Sequence, residues 1–293
     1  MDFQLLKVTE ARRETPRAVH LRLEGGDAAL YEACTLPAMA IPVDLGNGET
    51  ALVPLSSQPG RRHFEVVADV ETPAGGRLGG LRPGAAVKVG KPEGPGFDVF
   101  GFRRCDVFLV AYGAGIGPAR STLLHILTER GAFDSVRLLY EARFLSGFAY
   151  RDDFPGWQRG HVKVYQVIQR QDMAKWRRGE EAYVHDLLRD LAPDPARSVV
   201  FASGPSDLLM GVQGAMRARR YPPERLFLHE LEATTETERV AVAAPIEHAK
   251  HETVSEEALD GSGHWEDAPD HSPVFEGGKP ARPSVRPEKK GAH

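Results

Sequence analysis

Apolar and polar positions along the chain change rhythm once, near residue 101. Before that point, short β-rich runs such as AVHLRLEGG (18–26), HFEVVADVE (63–71) and AAVKVGKPEG (85–94) alternate with the turn clusters GGD, LGNG, SQPG, PAGG and RPG. Short strands with regular turns predict an antiparallel β-barrel over residues 1–100. Beyond it, the apolar runs DVFLVAY (106–112), SVRLLYEA (135–142), HVKVYQVI (161–168) and SVVFAS (198–203) are separated by helix-like segments. Buried strands divided by helices predict an α/β domain with a parallel sheet over 101–233. From 234 to 293 the periodicity gives way to Pro, Glu, Ser and Gly with two aromatics, Trp265 and Phe275. This last stretch is expected to be a disordered acidic tail, dispensable for folding.

Charge and composition narrow the function classes. The chain carries a net charge of −4, and from Thr234 onward 12 acidic residues meet 7 basic ones, so the preceding part is close to neutral. That gives no long-range attraction for nucleic acid. No apolar run of about 18 residues occurs, so no membrane insertion is expected. The start MDFQLLKVTEARRE lacks the apolar stretch of a signal peptide, which makes the cytoplasm the expected location. Two cysteines, Cys34 and Cys105, cannot complete a four-cysteine cluster, so any iron–sulfur centre would sit on a partner. Cys105 opens an apolar strand and reads as packing. The 11 histidines, five of them in the tail, show no ligand spacing, and no metal site is expected. The segment MAKWRRGEEAY (173–183) reads as a solvated helix end, with a partner surface as the alternative.

The chemistry concentrates in two glycine-containing turns. AYGAGIGPARS (111–121) follows a buried strand and opens a helix. Glycines at 113, 115 and 117 allow a sharp turn and close approach to a ligand, and Pro118 suits the first helical turn. The unpaired N–H groups and positive dipole end of such a helix suit a pyrophosphate. The spacing is not the G-x-G-x-x-G dinucleotide fingerprint, and a tight turn without a ligand is the plain alternative. ASGPSDLLMGVQGAM (202–216) repeats the arrangement, with Gly204 and Pro205 at a strand end and Asp207 in the following helix. Two such ends in one parallel sheet can face a single crevice.

In chain order, a β-barrel followed by GAGIGPARS, LLYEAR, YRDDF, EEAYVHDLL, ASGPSDLLMGVQGAM and ERLFLHE resembles the ferredoxin-NADP reductase superfamily over roughly residues 5–232. In style it is nearest to the electron-transfer flavin subunits of soluble hydrogenases and dihydroorotate dehydrogenases. The resemblance implies an FAD-binding barrel, an NAD- or NADP-binding domain, hydride transfer between nicotinamide and flavin, and a redox partner carrying a metal or iron–sulfur centre. It implies that Gly113, Gly115, Ile116, Gly117 and Pro118 line the nucleotide phosphates, and that Gly204, Pro205 and Asp207 lie near the nicotinamide. Ser203 stands where the family often has cysteine, and is the candidate catalytic residue. Arg143, with Arg151, would meet the adenosine side, where Glu141 beside them favours a free ribose over a 2′-phosphate.

The flavin motif departs from the family pattern. In place of R-x-Y-S-x-x-S the chain reads ALVPLSSQPG, and Pro54-Leu55-Ser56 matches the P-[FIL]-S form of the electron-transfer branch. Pro54, Leu55, Ser56, Ser57 and Gly76 are the flavin candidates, with Gly79 replacing the hydroxyl of the second phosphate helix and Arg77 as a possible charge. The two function classes open to such a chain are an NAD(P)H-dependent flavin oxidoreductase and a flavin-free nucleotide-binding or structural subunit of a redox complex.

Overall fold

In the computed structural model, residues 2–46, 48–169 and 183–231 are described. The expected tail, and MAKWRRGEEAY apart from its last residue, lie outside the described residues.

β-branched runs bounded by glycine turns build the first sheet. Its strands are β1 (Gln4–Arg13), β2 (Ala18–Gly25), β3 (Ala40–Gly46), β4 (Glu49–Pro54), β5 (Phe64–Asp69) and β6 (Ala86–Val89), in the order β4-β3-β6-β1-β2-β5, with antiparallel pairings throughout. The two edges meet where Leu55 bridges Val66 and the Ser56 N–H donates to the Glu65 carbonyl at 2.7 Å, which closes the sheet into a barrel. Alternation fills its interior: Leu6, Val8, Leu21, Leu23, Ile41, Val43, Val53 and Leu55 are all at most 2 % exposed. Two short helices, α1 (Ala28–Glu32) and α2 (Pro73–Gly79), interrupt the strands. α2 starts where Thr72 caps the Gly75 N–H ahead of Pro73, a start signal present in the sequence as TPAGG.

The second sheet is parallel. Strands β7 (Asp106–Tyr112), β8 (Val136–Ala142), β9 (Val162–Ile168), β10 (Ser198–Gly204) and β11 (Leu226–Glu230) run in the order β11-β10-β7-β8-β9. The ends of β7 to β10 lie within a residue of the apolar runs in the sequence. Helices α3 (Ile116–Thr128), α4 (Phe154–Arg159), α5 (Val184–Leu191) and α6 (Ser206–Ala218) connect them. The strand order reverses between β7 and β10, and the crevice beyond the carboxyl ends at such a point is where open α/β sheets bind ligands.

α3 joins the two sheets. Its residues Ile116, Ala119, Leu123 and Ile126 are buried in one cluster that also contains Ala18, Ala38 and Val67 of the barrel half, so the core is continuous across the junction. Polar groups lock the same contact. The Arg120 guanidinium donates to Glu65 Oε2 at 2.6 Å, to the Ser56 carbonyl at 2.9 Å and to Asp153 at 3.2 Å, and lies 4.5 Å from the Tyr150 ring centroid. Ser121 Oγ donates to the Ser57 carbonyl at 2.6 Å and accepts from the Ala38 N–H. The Tyr150 hydroxyl donates to Ser56 Oγ at 3.1 Å and meets His20 Nδ1 at 3.0 Å.

This buried network sets an acid limit on stability. Burial holds the His20 imidazole down to about 4, from 6.5. Burial opposes the charge of Glu65, but the hydrogen bond with His63 and the charge and hydrogen bond of Arg120 outweigh it and bring its carboxyl to about 2, from 4.5. Both folded values lie below the unfolded ones, so both contributions are complete at high pH and are lost on acidification. His20 gives up on the order of 3 kcal/mol as pH falls from 6.5 to 4, and Glu65 follows as it falls from 4.5 towards 2. Stability measured by urea unfolding is therefore expected to decline from pH 6.5 downward, and His20→Gln to flatten the curve above pH 4. An unchanged curve would place the acid sensitivity elsewhere.

Candidate functional site

The crevice lies against the carboxyl ends of β7 and β10 and the facing wall of the barrel. Its first compartment, about 110 Å³, is lined by Leu52, Val53 and Pro54 of β4, Val67, Ala68 and Asp69 of β5, Thr72 and Ala74 at the start of α2, and Arg17. From the parallel sheet come Tyr112, Gly113 and Ala114 after β7, Pro205 after β10, and Leu231. A second compartment of about 260 Å³ shares Arg17, Asp69, Tyr112, Gly113 and Ala114, and adds residues 15, 16 and 18, Glu71, and the loop after β8 with Arg143, Phe144, Ser146 and Gly147.

The three glycines of GAGIG do different work. Gly113 has φ +53° and a Cβ there would meet nothing within 4 Å, so this glycine makes the turn and leaves the crevice open. A Cβ on Gly115 would lie 2.1 Å from the Ser203 carbonyl oxygen, so its role is to let the turn lie directly on β10. A Cβ on Gly117 would lie 2.8 Å from Val67 Cγ1, so it serves the contact of α3 with the barrel. Gly113 and the neighbouring Ala114 reach the crevice; Gly115, Ile116, Gly117 and Pro118 are buried, and Ile116 belongs to the core. Of the five residues expected to line phosphates, Gly113 alone is among those that line the crevice. The turn is held by Tyr140, whose hydroxyl donates to the Gly113 carbonyl at 3.0 Å and accepts from the Ala149 N–H.

The second turn divides in the same way. Pro205 faces the crevice, whereas Gly204 is buried against Leu208 and Tyr112. Asp207 is exposed on the first turn of α6 and lines neither compartment. Ser203 is buried, and its Oγ donates to the Gly115 carbonyl at 2.6 Å. The hydroxyl expected to take part in catalysis ties the two turns together in this structure.

Flavin candidates are redistributed as well. Alternation along β4 buries Ala51 and Val53 and turns Leu52 and Pro54 outward, so the crevice wall carries Pro54 with Leu52. Leu55 packs in the barrel core, Ser56 and Ser57 belong to the junction network, and Gly76 is exposed beyond the crevice. Arg143 lines the second compartment with its guanidinium 5.5 Å from the Phe144 ring centroid, and Arg151 is exposed and lines neither. Glu141 does not stand beside them. It is buried against the other face of the sheet, where its carboxylate accepts from the Val184 N–H at 2.6 Å and burial raises it to about 7.

Among residues the sequence did not single out, Arg17, Leu52, Tyr112 and Thr72 line the site. Only Thr72 carried a local signal, the T-P start of a helix. Two of the described histidines behave as packing: His20 is buried, and His229 lies edge-on to Phe97 at 6.0 Å with its imidazole lowered by burial. No helix among the described residues is long and apolar enough to cross a membrane.

Residues 109–214 match the family model described as an oxidoreductase NAD-binding domain. The chain is 32% identical to ferredoxin–NADP reductase B of Sorangium cellulosum over 183 residues, 59% of this chain and 74% of that protein. It is 25% identical to the gamma subunit of sulfhydrogenase 1 from Pyrococcus furiosus over 152 residues, 50% of this chain and 51% of that subunit, so the match spans about half of it. Among solved structures, a cytochrome P450 reductase of Amycolatopsis superposes with a TM-score of 0.66 at 15% identity, covering 80% of this chain and 71% of that one. Ferredoxin-NADP+ reductase from Plasmodium falciparum gives 0.61 at 12% identity, covering 78% and 96%. The chain belongs to the ferredoxin-NADP reductase superfamily of FAD- and NAD(P)-dependent oxidoreductases.

The first two glycines separate cleanly by experiment. Gly115→Ala should drive a methyl group into the β10 backbone and abolish a cooperative thermal unfolding transition. Gly113→Ala meets open space and should cost only about 1–2 kcal/mol for its left-handed backbone. Similar melting curves for the two variants would contradict this division.

Proposed function

We propose that this chain takes a hydride from NADH or NADPH onto a flavin ring held in the crevice, and passes the electrons to a partner bearing a metal or iron–sulfur centre. The observation that carries this reading is the convergence on one crevice of Gly113 and Ala114 after β7, Pro205 after β10, and Leu52 and Pro54 on the barrel wall. A nicotinamide arriving over the strand ends and a ring lying on the barrel wall would share that space, and hydride transfer needs orientation above all. A bound flavin would supply the ability to accept two electrons together and release them one at a time.

The residues present fit the ring. Leu52, Val53, Pro54, Val67, Ala68, Ala74 and Leu231 make an apolar lining, and Tyr112 supplies an aromatic side chain. Electron transfer to an iron–sulfur partner is supported by the likeness to a ferredoxin–NADP reductase and to a hydrogenase gamma subunit. The absence of a four-cysteine set in this chain leaves that centre to the partner.

The test is an anaerobic titration of purified protein with FAD and then NADH or NADPH, followed by absorbance. Bleaching of the oxidised flavin bands, with reoxidation on adding a ferredoxin, is the expected result. Ala114→Trp, which fills both compartments from a half-buried turn, should lower the rate by about two orders of magnitude through lost orientation while the fold is kept. Protein that binds NADH but takes up no flavin would support the other class, a nucleotide-binding subunit.

A further inference from the structure

Gly113 opens the turn after β7 with φ +53° and nothing within 4 Å of a Cβ position, so side-chain contacts do not fix the direction of its carbonyl. Hydrogen bonds do. The carbonyl accepts from the Ile116 N–H further along the turn and from the Tyr140 hydroxyl at 3.0 Å. Tyr140 stands in β8, wholly buried, with its ring edge-on to Phe148 at 5.0 Å and to Phe154 at 6.3 Å. Burial holds its hydroxyl well above the ordinary tyrosine range, so it stays a protonated donor.

The same hydroxyl accepts from the Ala149 N–H at 3.1 Å, which anchors it from a second side. Ala149 precedes Tyr150, whose φ of +56° is left-handed and whose N–H donates to Glu14 Oε2 of the barrel half at 2.8 Å. Tyr140 therefore fastens the turn to a segment whose own position is set by the barrel. A peptide unit is planar, and with no cis bond among the described residues each is trans, so its C=O and N–H point in opposite directions. Because the Gly113 carbonyl is drawn into the core, the N–H of the same unit, that of Ala114, is aimed away from it. Gly113 and Ala114 are half-buried and line both compartments, and among the described residues no acceptor takes the Ala114 N–H.

We infer that Tyr140 is a positioning residue for the nicotinamide nucleotide: through the Gly113 carbonyl it aims the Ala114 N–H into the crevice, where that N–H donates to an oxygen of the bound nucleotide. The inference rests on the functional reading above and adds to it the group that sets the direction of this main-chain donor. Tyr140 itself touches no ligand. Without its hydroxyl the glycine peptide is held by the Ile116 N–H alone, and the donor loses its fixed direction before a ligand arrives.

Calorimetric titration of the full chain with NADH and NADPH tests this. Tyr140→Phe keeps the ring and is expected to raise the dissociation constant of the tighter nucleotide about tenfold, the loss of one well-aimed hydrogen bond. Ala114→Pro deletes the N–H itself from a half-buried turn and should weaken binding as much, and the combined variant should bind no more weakly than either alone, because one residue acts through the other. Tyr221→Phe removes a buried hydroxyl that meets Ser198 at 3.0 Å at the opposite end of β10; it controls for lost stability and should leave affinity within about twofold. Unchanged affinity in Tyr140→Phe or in Ala114→Pro, losses that add in the combined variant, or an equal loss in Tyr221→Phe would overturn the inference and leave the functional reading intact. Tyr140→Phe protein without a cooperative thermal transition would make the tyrosine a framework residue only, and overturn it too. A parent chain that binds neither nucleotide would remove the functional reading, and the inference with it.

Discussion

Everything about this molecule depends on how α3 is seated. One helix is asked to finish the nucleotide turn at its start, pack the parallel sheet along its length, and carry the barrel on its flank. Arg120 makes that possible by satisfying Glu65, Asp153 and the Ser56 carbonyl at once from a largely buried position. A cation so placed is costly to bury alone and strongly bound when all its partners are present, so the arrangement tolerates little drift. The crevice exists because the barrel and the parallel sheet are held against one another by that contact.

The same contact explains why several residues that look like ligand contacts are not available. Ser56 and Ser57 stand in the stretch where family members hold the flavin, yet their hydroxyls and carbonyls are committed to Tyr150, Glu65, Ser121 and Arg120. Ser203 is committed to Gly115. In each case a short polar side chain stabilises the frame of the site from behind. What remains in front is backbone, proline and aliphatic surface, which is suited to planar groups held by contact area and shape.

Much of the architecture was legible in the sequence, because strand burial writes itself into apolar runs: 106–112, 135–142, 161–168 and 198–203 became β7 to β10 with shifts of at most one residue. The site was legible only at the level of its turns. Gly113 and Pro205 could be placed by their strand–turn–helix context, but nothing local distinguishes a glycine needed for a ligand from Gly115, which is needed for a carbonyl on a strand 88 residues away. The orientation of Glu141 was likewise hidden, since the choice of sheet face depends on α5, whose start it caps. Arg17 and Leu52 entered the crevice through barrel closure, a long-range event without a local signature.

The hydrogen bond from the Ser203 hydroxyl to the Gly115 carbonyl, with the glycine that permits that close approach, fastens the two strand ends from behind the crevice. The spacing of the jaws is therefore independent of the side chains that line them. Leu52, Pro54, Ala114 and Arg17 can be exchanged as inserts in a rigid vice, and descendants of such a chain are free to change what they grip without renegotiating how they fold.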